Sequence, residues 1–364
     1  MLLIYIFATV VAINCLYYLL FSKFSFHKPS LGRTTENFSI SLIICAKNEA
    51  ENLRKNIPLW LSQEYENLEF VFINDASADD TLEVMKSFQT KDARIRVVDV
   101  ENNEAFWGNK KYALTLGIKR ATSKRMLFTD ADCRPASNHW VKEMASHFSP
   151  DKQLVLGYGA YEKKSGPLNA LIRFETLMTA VQYFSYAMVG KPYMGVGRNL
   201  GYTSTIYYAN NGFMSHIKLP SGDDDLFVNE VATAKNVALS LTENSFTYSE
   251  PKTTIREWLY QKRRHITTSK YYKKSQKLLL GVYYVANLLF WVLVPFVFMF
   301  QDWEMPVILL SARILLMWFI LGKAALKLNE KNLIPVIPFL ELFLVSLQLT
   351  IFISNTKQKP NHWS

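Results

Sequence analysis

Cysteine is nearly absent: Cys15, Cys45 and Cys133 are the only three in 364 residues. They are isolated and at no metal-like spacing, so a disulfide framework is excluded and the thiols are expected to be reduced. Two glycine signatures are also missing. The segment Cys45-Ala46-Lys47-Asn48-Glu49 lacks G-x-G-x-x-G, which argues against a dinucleotide oxidoreductase. No G-x-x-x-x-G-K-[ST] occurs either, which removes the P-loop NTPases. There is no internal repeat and no low-complexity segment. Acidic residues are scarce between Lys252 and Lys277, where Lys252, Arg256, Lys262, Arg263, Arg264, Lys270, Lys273, Lys274 and Lys277 face only Glu257. That run suits a basic belt on anionic lipid or a diphosphate clamp. Nucleic acid is not an expected partner, because no recognition motif accompanies the charge.

What the chain has in excess is apolar residues at its two ends. Leu2 to Phe21 carries no charge, and Leu278–Phe300, Met305–Leu321 and Leu333–Ser354 follow late. An apolar helix of about 20 residues matches a bilayer core of roughly 30 Å. Arg313 and Glu341 interrupt the last two stretches, so each is either buried against neighbouring helices or marks a helix lying in the interface. The first run lacks a basic n-region, and Lys23 and Lys28 follow it, which argues against a cleaved signal peptide. By the positive-inside rule the domain after it is cytosolic. The acidic Asp302/Glu304 loop then faces outward and Lys323, Lys327 and Lys331 inward. Lys357 and Lys359 would lie outside, against the rule. The expectation is a multi-pass integral protein of a plasma or inner membrane: an N-terminal span (1–22), a cytosolic domain (38–270) and three C-terminal apolar segments (277–355).

The middle of the chain alternates strand and helix patterns. Phe38–Cys45, Leu68–Asn74, Ile95–Val100 and Arg125–Thr129 read as strands, and helices are expected from Lys47 toward Ser62, over Leu82–Gln89 and over Lys110–Ala121. Asp79 or Asp80 is placed to cap the second helix. This rhythm predicts an α/β domain whose mainly parallel sheet is covered by helices on both faces. Ligands of such sheets sit at the carboxyl ends of the strands. Asp75, Asp130 and Asp132 all fall there. In Thr129-Asp130-Ala131-Asp132 the carboxylates are two apart on an extended chain and point to one side. Together they can address one hard cation, Mg²⁺ or Mn²⁺, of the kind that accompanies a diphosphate.

With these residues in order, the chain resembles the membrane-bound family 2 glycosyltransferases, which have the GT-A fold, over about residues 38–270. Ile44–Glu49 is similar to the family's opening strand and loop. Phe72–Thr81 is similar to its D-D-G-S-x-D-x-T turn, with Asn74 for the first acid and Ala76 for the glycine. Lys110–Leu114 resembles G-K-x-x-A-L, and Gly195–Tyr202 resembles G-x-G-x-N-x-A-Y near the acceptor site. Ser221–Leu226 resembles the E-D motif, with Asp223 for Glu, and Gln261–His265 resembles Q-x-x-R-W, with His265 where the family usually has Trp.

The resemblance implies an inverting, metal-dependent transfer from a nucleoside-diphosphate sugar to a lipid or saccharide hydroxyl at the cytosolic membrane face. It implies Asp132 and Asp130 as holders of the Mg²⁺ or Mn²⁺ cofactor. Asp75, Lys110, Asp130, Gln261 and Arg264 would contact the nucleotide sugar, and Asp224 would be general base with Asp223 beside it. Each residue also has a plain structural reading: Asp75 as an Asx turn, and the 223–225 acids as a solvated helix start. Three adjacent acids repel, which can raise one pKa toward a useful value. Arg264 and Gln261, three apart on a helix, share a face, leaving Lys262 and Arg263 for lipid headgroups. Trp258 reads as an interfacial anchor, and His265 as a helix-face residue without a chemical role. Pro167–Gly190, broken by Arg173, Glu175 and Gln182, reads as a helix at the membrane surface lining the acceptor entrance, with a buried core helix as the alternative. Single transfer is favoured over processive synthesis. The competing functions are a polyprenyl-phosphate glycosyltransferase, whose ionised acceptor needs no base, and a non-catalytic membrane scaffold, against which the retained acids argue.

Overall fold

In the computed structural model of the protein, residues 1–32, 37–101 and 110–357 are described; Lys359 lies outside them. The chain forms two compact units. Among the described residues, one comprises 1–28, 163–191 and 252–357, and the other lies within 29–162 and 192–251. Elements are numbered along the whole chain, and α1 (Leu2–Ser25) belongs to the first unit.

The second unit is the α/β domain. It runs β1 (Ile40–Ala46), α2 (Ala50–Leu61), β2 (Leu68–Asp75), α3 (Thr81–Gln89), β3 (Ile95–Val100), α4 (Lys110–Arg120), β4 (Arg125–Asp130), β5 (Cys133–Pro135), α5 (Trp140–Ser146), β6 (Leu154–Leu156) and β7 (Gly159–Tyr161). After α6 (Pro167–Met188), which belongs to the first unit, come β8 (Leu200–Thr203), α7 (Ser204–Ala209), α8 (Asp225–Val231), β9 (Val237–Leu239) and β10 (Thr247–Ser249). A seven-stranded sheet has the order β3-β2-β1-β4-β8-β6-β9, and β5-β10-β7 form a second, three-stranded sheet. The strands β3, β2, β1 and β4 are parallel, while β8 runs antiparallel to β4. Every residue of the central strand β1 is buried, as a strand covered by helices on both faces requires. Register places Cys45 beside Ile73 on one side and Asp130 on the other, so β1, β2 and β4 end at one level. On this sheet α4 lies close, because Gly117 has no Cβ; one built there would stand 2.1 Å from Ile73 Cδ1.

The first unit is helical. With α1 and α6 it contains α9 (Ile255–Ser269), α10 (Lys274–Phe300), α11 (Glu304–Lys327) and α12 (Ile337–Lys357), the last preceded by a 3-10 turn at Lys331–Val336. Four stretches, Leu2–Ser25, Lys274–Phe300, Glu304–Lys327 and Lys331–Ser354, are long and apolar enough to cross a membrane. The two interrupting charges find each other. Arg313 Nη1 and Nη2 donate to the Glu341 carboxylate, both at 2.5 Å, and Nη2 also reaches Asn287 Oδ1 (2.7 Å), Tyr18 Oη (3.0 Å) and Asn14 Oδ1 (3.3 Å). One polar network thus joins α1, α10, α11 and α12, and neither charge marks an interfacial helix. Lys327 donates to the carbonyls of Phe24 and His27, so the ends of α1 and α11 share a side with Lys23 and Lys323.

Three expectations need correction here. The helix α6 is buried for most of its length and packs against α1, α11 and α12, so it is a core element of the helical unit and not a surface helix. Its Arg173 is paired with Glu330. Trp258 is fully buried and cannot be an interfacial anchor. Lys262 pairs with Glu175, and Arg263 Nη2 donates to the Ser354 carbonyl at 3.4 Å, so neither cation is left to lipid headgroups. Within the stretch 38–270, expected as a catalytic domain with interfacial helices, α6 and α9 cluster with the long apolar helices.

Candidate active site

The parallel strands deliver carboxylates to one edge. Asn74 and Asp75 close β2, and Asp130 closes β4 with Asp132 two residues on. The turn after β2 needs a left-handed residue, and Ala76 takes it at φ 49°, where the resembling motif has glycine. That conformation costs a non-glycine residue roughly 1 kcal/mol. Around it, Asn48 Oδ1 accepts the Ala78 N–H at 2.8 Å, and Asp79 accepts the N–H groups of Ala50 and Thr81, both at 3.1 Å. Asp79 is therefore the acid that satisfies a backbone donor at the start of each of α2 and α3, while Asp80, the residue at the N-cap of α3, makes no side-chain cap bond. Asp75 is buried, its Oδ2 has no partner among the described residues, and burial raises its pKa against the pull of Lys47 and Lys110. An unsatisfied buried carboxylate oxygen costs about 1–3 kcal/mol, a cost that a ligand donor would remove.

Lys110, at the start of α4, ties the two acidic groups together. Its Nζ lies 2.7 Å from Asp130 Oδ1 and 3.3 Å from Asp223 Oδ2. Burial disfavours the ammonium, but the Asp130 and Asp223 carboxylates outweigh it and hold Lys110 well above the usual lysine range. Asp223 is likewise opposed by burial, yet Lys110 and Lys111 keep its carboxyl below the ordinary value. Asp224 behaves in the opposite way. Burial, then repulsion by Asp223 and Asp225, push its carboxyl up to about 7, against hydrogen bonds from the N–H groups of Gly197 and Asp225, both at 2.7 Å. A pocket opens over this group, lined by Lys110, Asp130, Gly197, Asp223 and Asp224 with Cys45, Phe128 and Tyr202 among its walls.

Asp132 and Asp75 are not among the pocket's lining residues. Asp132 is buried enough that desolvation, and then Asp130, raise its carboxyl pKa. One ligand atom each of Asp130, Asp132 and Cys133 lies within 4.8 Å of the others. Two mutually repelling carboxylates at that spacing fit a hard dication, which would relieve the repulsion. Gln261 and Arg264 lie on α9, in the helical unit, where Gln261 Oε1 and Arg264 Nε have no partner among the described residues. His265 is exposed on the same helix.

Two cations escaped sequence reasoning. Arg198 Nη1 donates to Ala160 O (3.1 Å) and Ser249 Oγ (2.8 Å), its guanidinium sits 4.3 Å over the Tyr161 ring, and it lowers the Asp132 carboxyl. The other is Lys111, buried beside Lys110. The only available signal was position: Arg198 lies inside the Gly195–Tyr202 segment and Lys111 inside Lys110–Leu114. In the former, Asn199 proves to be a staple, donating to Tyr158 O (2.9 Å) and Ser245 O (2.7 Å) and accepting from Trp140 Nε1 (3.1 Å).

Residues 41–196 match the model of glycosyl transferase family 2. A 4,4'-diaponeurosporenoate glycosyltransferase of Staphylococcus haemolyticus is 29% identical over 178 residues, 48% of this chain and 46% of that protein. A poly-beta-1,6-N-acetyl-D-glucosamine synthase of Staphylococcus epidermidis is 31% identical over 33% of this chain and 28% of its own length. The alignments thus span less than half the length of these relatives. The solved mannosyltransferase PcManGT from Pyrobaculum calidifontis, in complex with GDP-Man and Mn2+, matches with TM-score 0.61 at 13% identity, over 93% of this chain and 98% of that one. That likeness establishes the fold, a GT-A α/β domain accompanied by long apolar helices.

Proposed function

We propose that this chain, a member of glycosyl transferase family 2 through its domain at residues 41–196, is an inverting transferase. It moves a sugar from a nucleoside diphosphate to a lipid or saccharide hydroxyl at the cytosolic face of a membrane. The observation that carries the reading is the contrast within the acidic turn. Asp223 is held ionised by Lys110, while its neighbour Asp224, at the pocket wall, has a carboxyl near 7. A base is most effective when its pKa lies near the working pH.

In this reading the Asp224 carboxylate takes the proton of the acceptor hydroxyl as its oxygen bonds the anomeric carbon. The bond from that carbon to the diphosphate breaks on the opposite face, and its electron pair leaves with the diphosphate. Attack opposite the leaving group inverts the centre. Lys110 holds Asp130 and Asp223 in place and supplies positive charge at the pocket wall where the leaving group departs. Asp130 and Asp132 would hold a divalent cation, which when bound neutralises charge on the diphosphate. The open acceptor on Asp75 Oδ2 suits a base or ribose donor of the nucleotide. Gln261 and Arg264 are assigned to the diphosphate on their motif and on their unpaired polar atoms. The shared side of Lys23, Lys323 and Lys327 in the helical unit supports the cytosolic assignment.

The test is release of nucleoside diphosphate by the purified, nanodisc-embedded protein across UDP- and GDP-sugars, with Mn²⁺ or Mg²⁺ and with EDTA. Metal-dependent release from one donor, lost in Asp132→Asn, is the expected result. Loss of transfer with retained donor binding in Asp224→Asn identifies a hydroxyl acceptor. Full activity of Asp224→Asn would refute the base and point to a phosphate acceptor. Neither turnover nor nucleotide binding would leave a scaffold.

A further inference from the structure

Consecutive lysines at the start of α4 do different things. Lys110 reaches the pocket, whereas Lys111 is 1% exposed and turns beneath it. Its Nζ donates to the carbonyl oxygens of Leu219 at 2.5 Å and Ser221 at 2.9 Å. Those two carbonyls bracket the chain just before Gly222-Asp223-Asp224-Asp225. Gly222 has φ 107°, and a Cβ there would meet Leu226 Cδ1 at 2.6 Å, so the turn calls for glycine at this position. Burying an ammonium is costly unless its protons are accepted and anions stand near. Here backbone oxygens accept the protons, and Asp223, Asp225 and Asp224 supply the opposite charge.

We infer that Lys111 is a positioning residue: it clamps the 219–221 backbone from below and so sets where the Asp224 carboxylate stands relative to Gly197 and the pocket. The inference rests on the reading of Asp224 as the general base. It adds a residue that contacts neither sugar nor nucleotide, and it explains why the acidic turn stays closed although three carboxylates repel within it.

Several charged and polar groups among the described residues face the turn. Lys110 and Lys111 come from α4, Tyr202 from β8, Asp225 from α8 and the Gly197 N–H from the segment before β8. Buried His216, paired with Glu230 at 3.2 Å, reaches the backbone of Gly222. Lys111 is bound to the main chain leading into the turn, through Leu219 O and Ser221 O. Removing it frees two carbonyls and deletes a positive charge facing the acids. The base loses its placement, and its protonated form is favoured.

The experiment compares Lys111→Met, Lys111→Arg and the unaltered nanodisc protein in two ways. Hydrogen exchange needs no substrate: Lys111→Met should speed amide exchange across 218–226 and leave β1 and β4 as they were. Kinetics use the nucleotide sugar turned over in the panel above. There kcat should fall by about 100-fold, the loss that a misplacement of about 1 Å brings, with KM for the donor within about two-fold. The acid limb of the kcat profile should move up by about one pH unit. Lys111→Arg, which keeps charge and donors, should recover part of both. Unchanged exchange at 218–226 would overturn the clamp. An unmoved acid limb, or kcat and donor KM worsening together, would overturn the positioning role and leave a merely structural lysine. Asp224→Asn run in parallel separates the two ideas. If it is fully active, the base reading falls by itself, and the exchange result still decides the clamp.

Discussion

Replacing Asp225 by Asn removes one of the charges that raise the Asp224 carboxyl. Asp225 is the second of two like charges pushing that group toward 7, after burial and Asp223. The Lys110 bridge joins Asp130 and Asp223, and the substitution alters neither of those carboxylates. The amide keeps an oxygen in place of Asp225 Oδ1, which accepts the Leu226 N–H at 2.7 Å. Removing one adjacent charge should lower the Asp224 pKa by about one unit. A base near pH 7 is about 9% ionised at pH 6, and one near 6 is about half ionised, so kcat at pH 6 should rise about five-fold. At pH 8.5 the rate should stay within about two-fold, since both forms are mostly ionised there. Stability supplies a second readout. A carboxyl whose folded pKa lies above its unfolded one favours folding less as pH rises from the ordinary carboxyl range through about 7. Relieving the repulsion should therefore raise the melting temperature more at pH 8 than at pH 5. The assays are the pH profile of kcat and thermal unfolding at the two pH values. An acid limb that stays where it was, or moves up, would refute electrostatic tuning of Asp224 by its neighbour.

Two further outcomes test the packing. Arg313→Leu or Glu341→Leu alone should destabilise the helical unit by about 3–5 kcal/mol, because each leaves a buried charge uncompensated, and the double variant should lose less than either single one; additive losses in denaturant unfolding would show that the pair is not coupled. Gly222→Ala should cost at least about 1–2 kcal/mol, through its positive φ and the Leu226 contact, and should reduce kcat more than donor affinity, read by unfolding and by nucleotide calorimetry; a neutral result would mean that the turn has room to shift.

Much of the site was legible because its signals are local. Asp130 and Asp132 stand out as a pair at the end of an apolar strand, and Asp75 closes another, which a period-two pattern reveals directly. The resemblance placed Lys110 and the 223–225 acids in one site, and the structure joins Lys110 to both Asp130 and Asp223. Trp258, Lys262 and Arg263 were misassigned for one reason. Helix spacing tells which residues share a face but not whether that face meets lipid or protein, and here Glu175 and Ser354 occupy it. The surface reading of Pro167–Gly190 failed the same way, since its breaking charge Arg173 is neutralised by Glu330, 157 residues along the chain.

Alternation and run length alone determined the strand-helix rhythm, the carboxyl-edge location of three aspartates and the four apolar stretches. These properties depend on neighbours within a turn or a strand, and such neighbours are written next to each other. Tertiary structure alone decided which charge meets which. It set Lys111 under a turn 108 residues away, brought Arg198 near enough to Asp132 to lower its carboxyl, and closed Arg313 on Glu341 between two apolar helices. A buried charge must find its partner wherever packing brings one within reach, and that distance is a property of the folded chain.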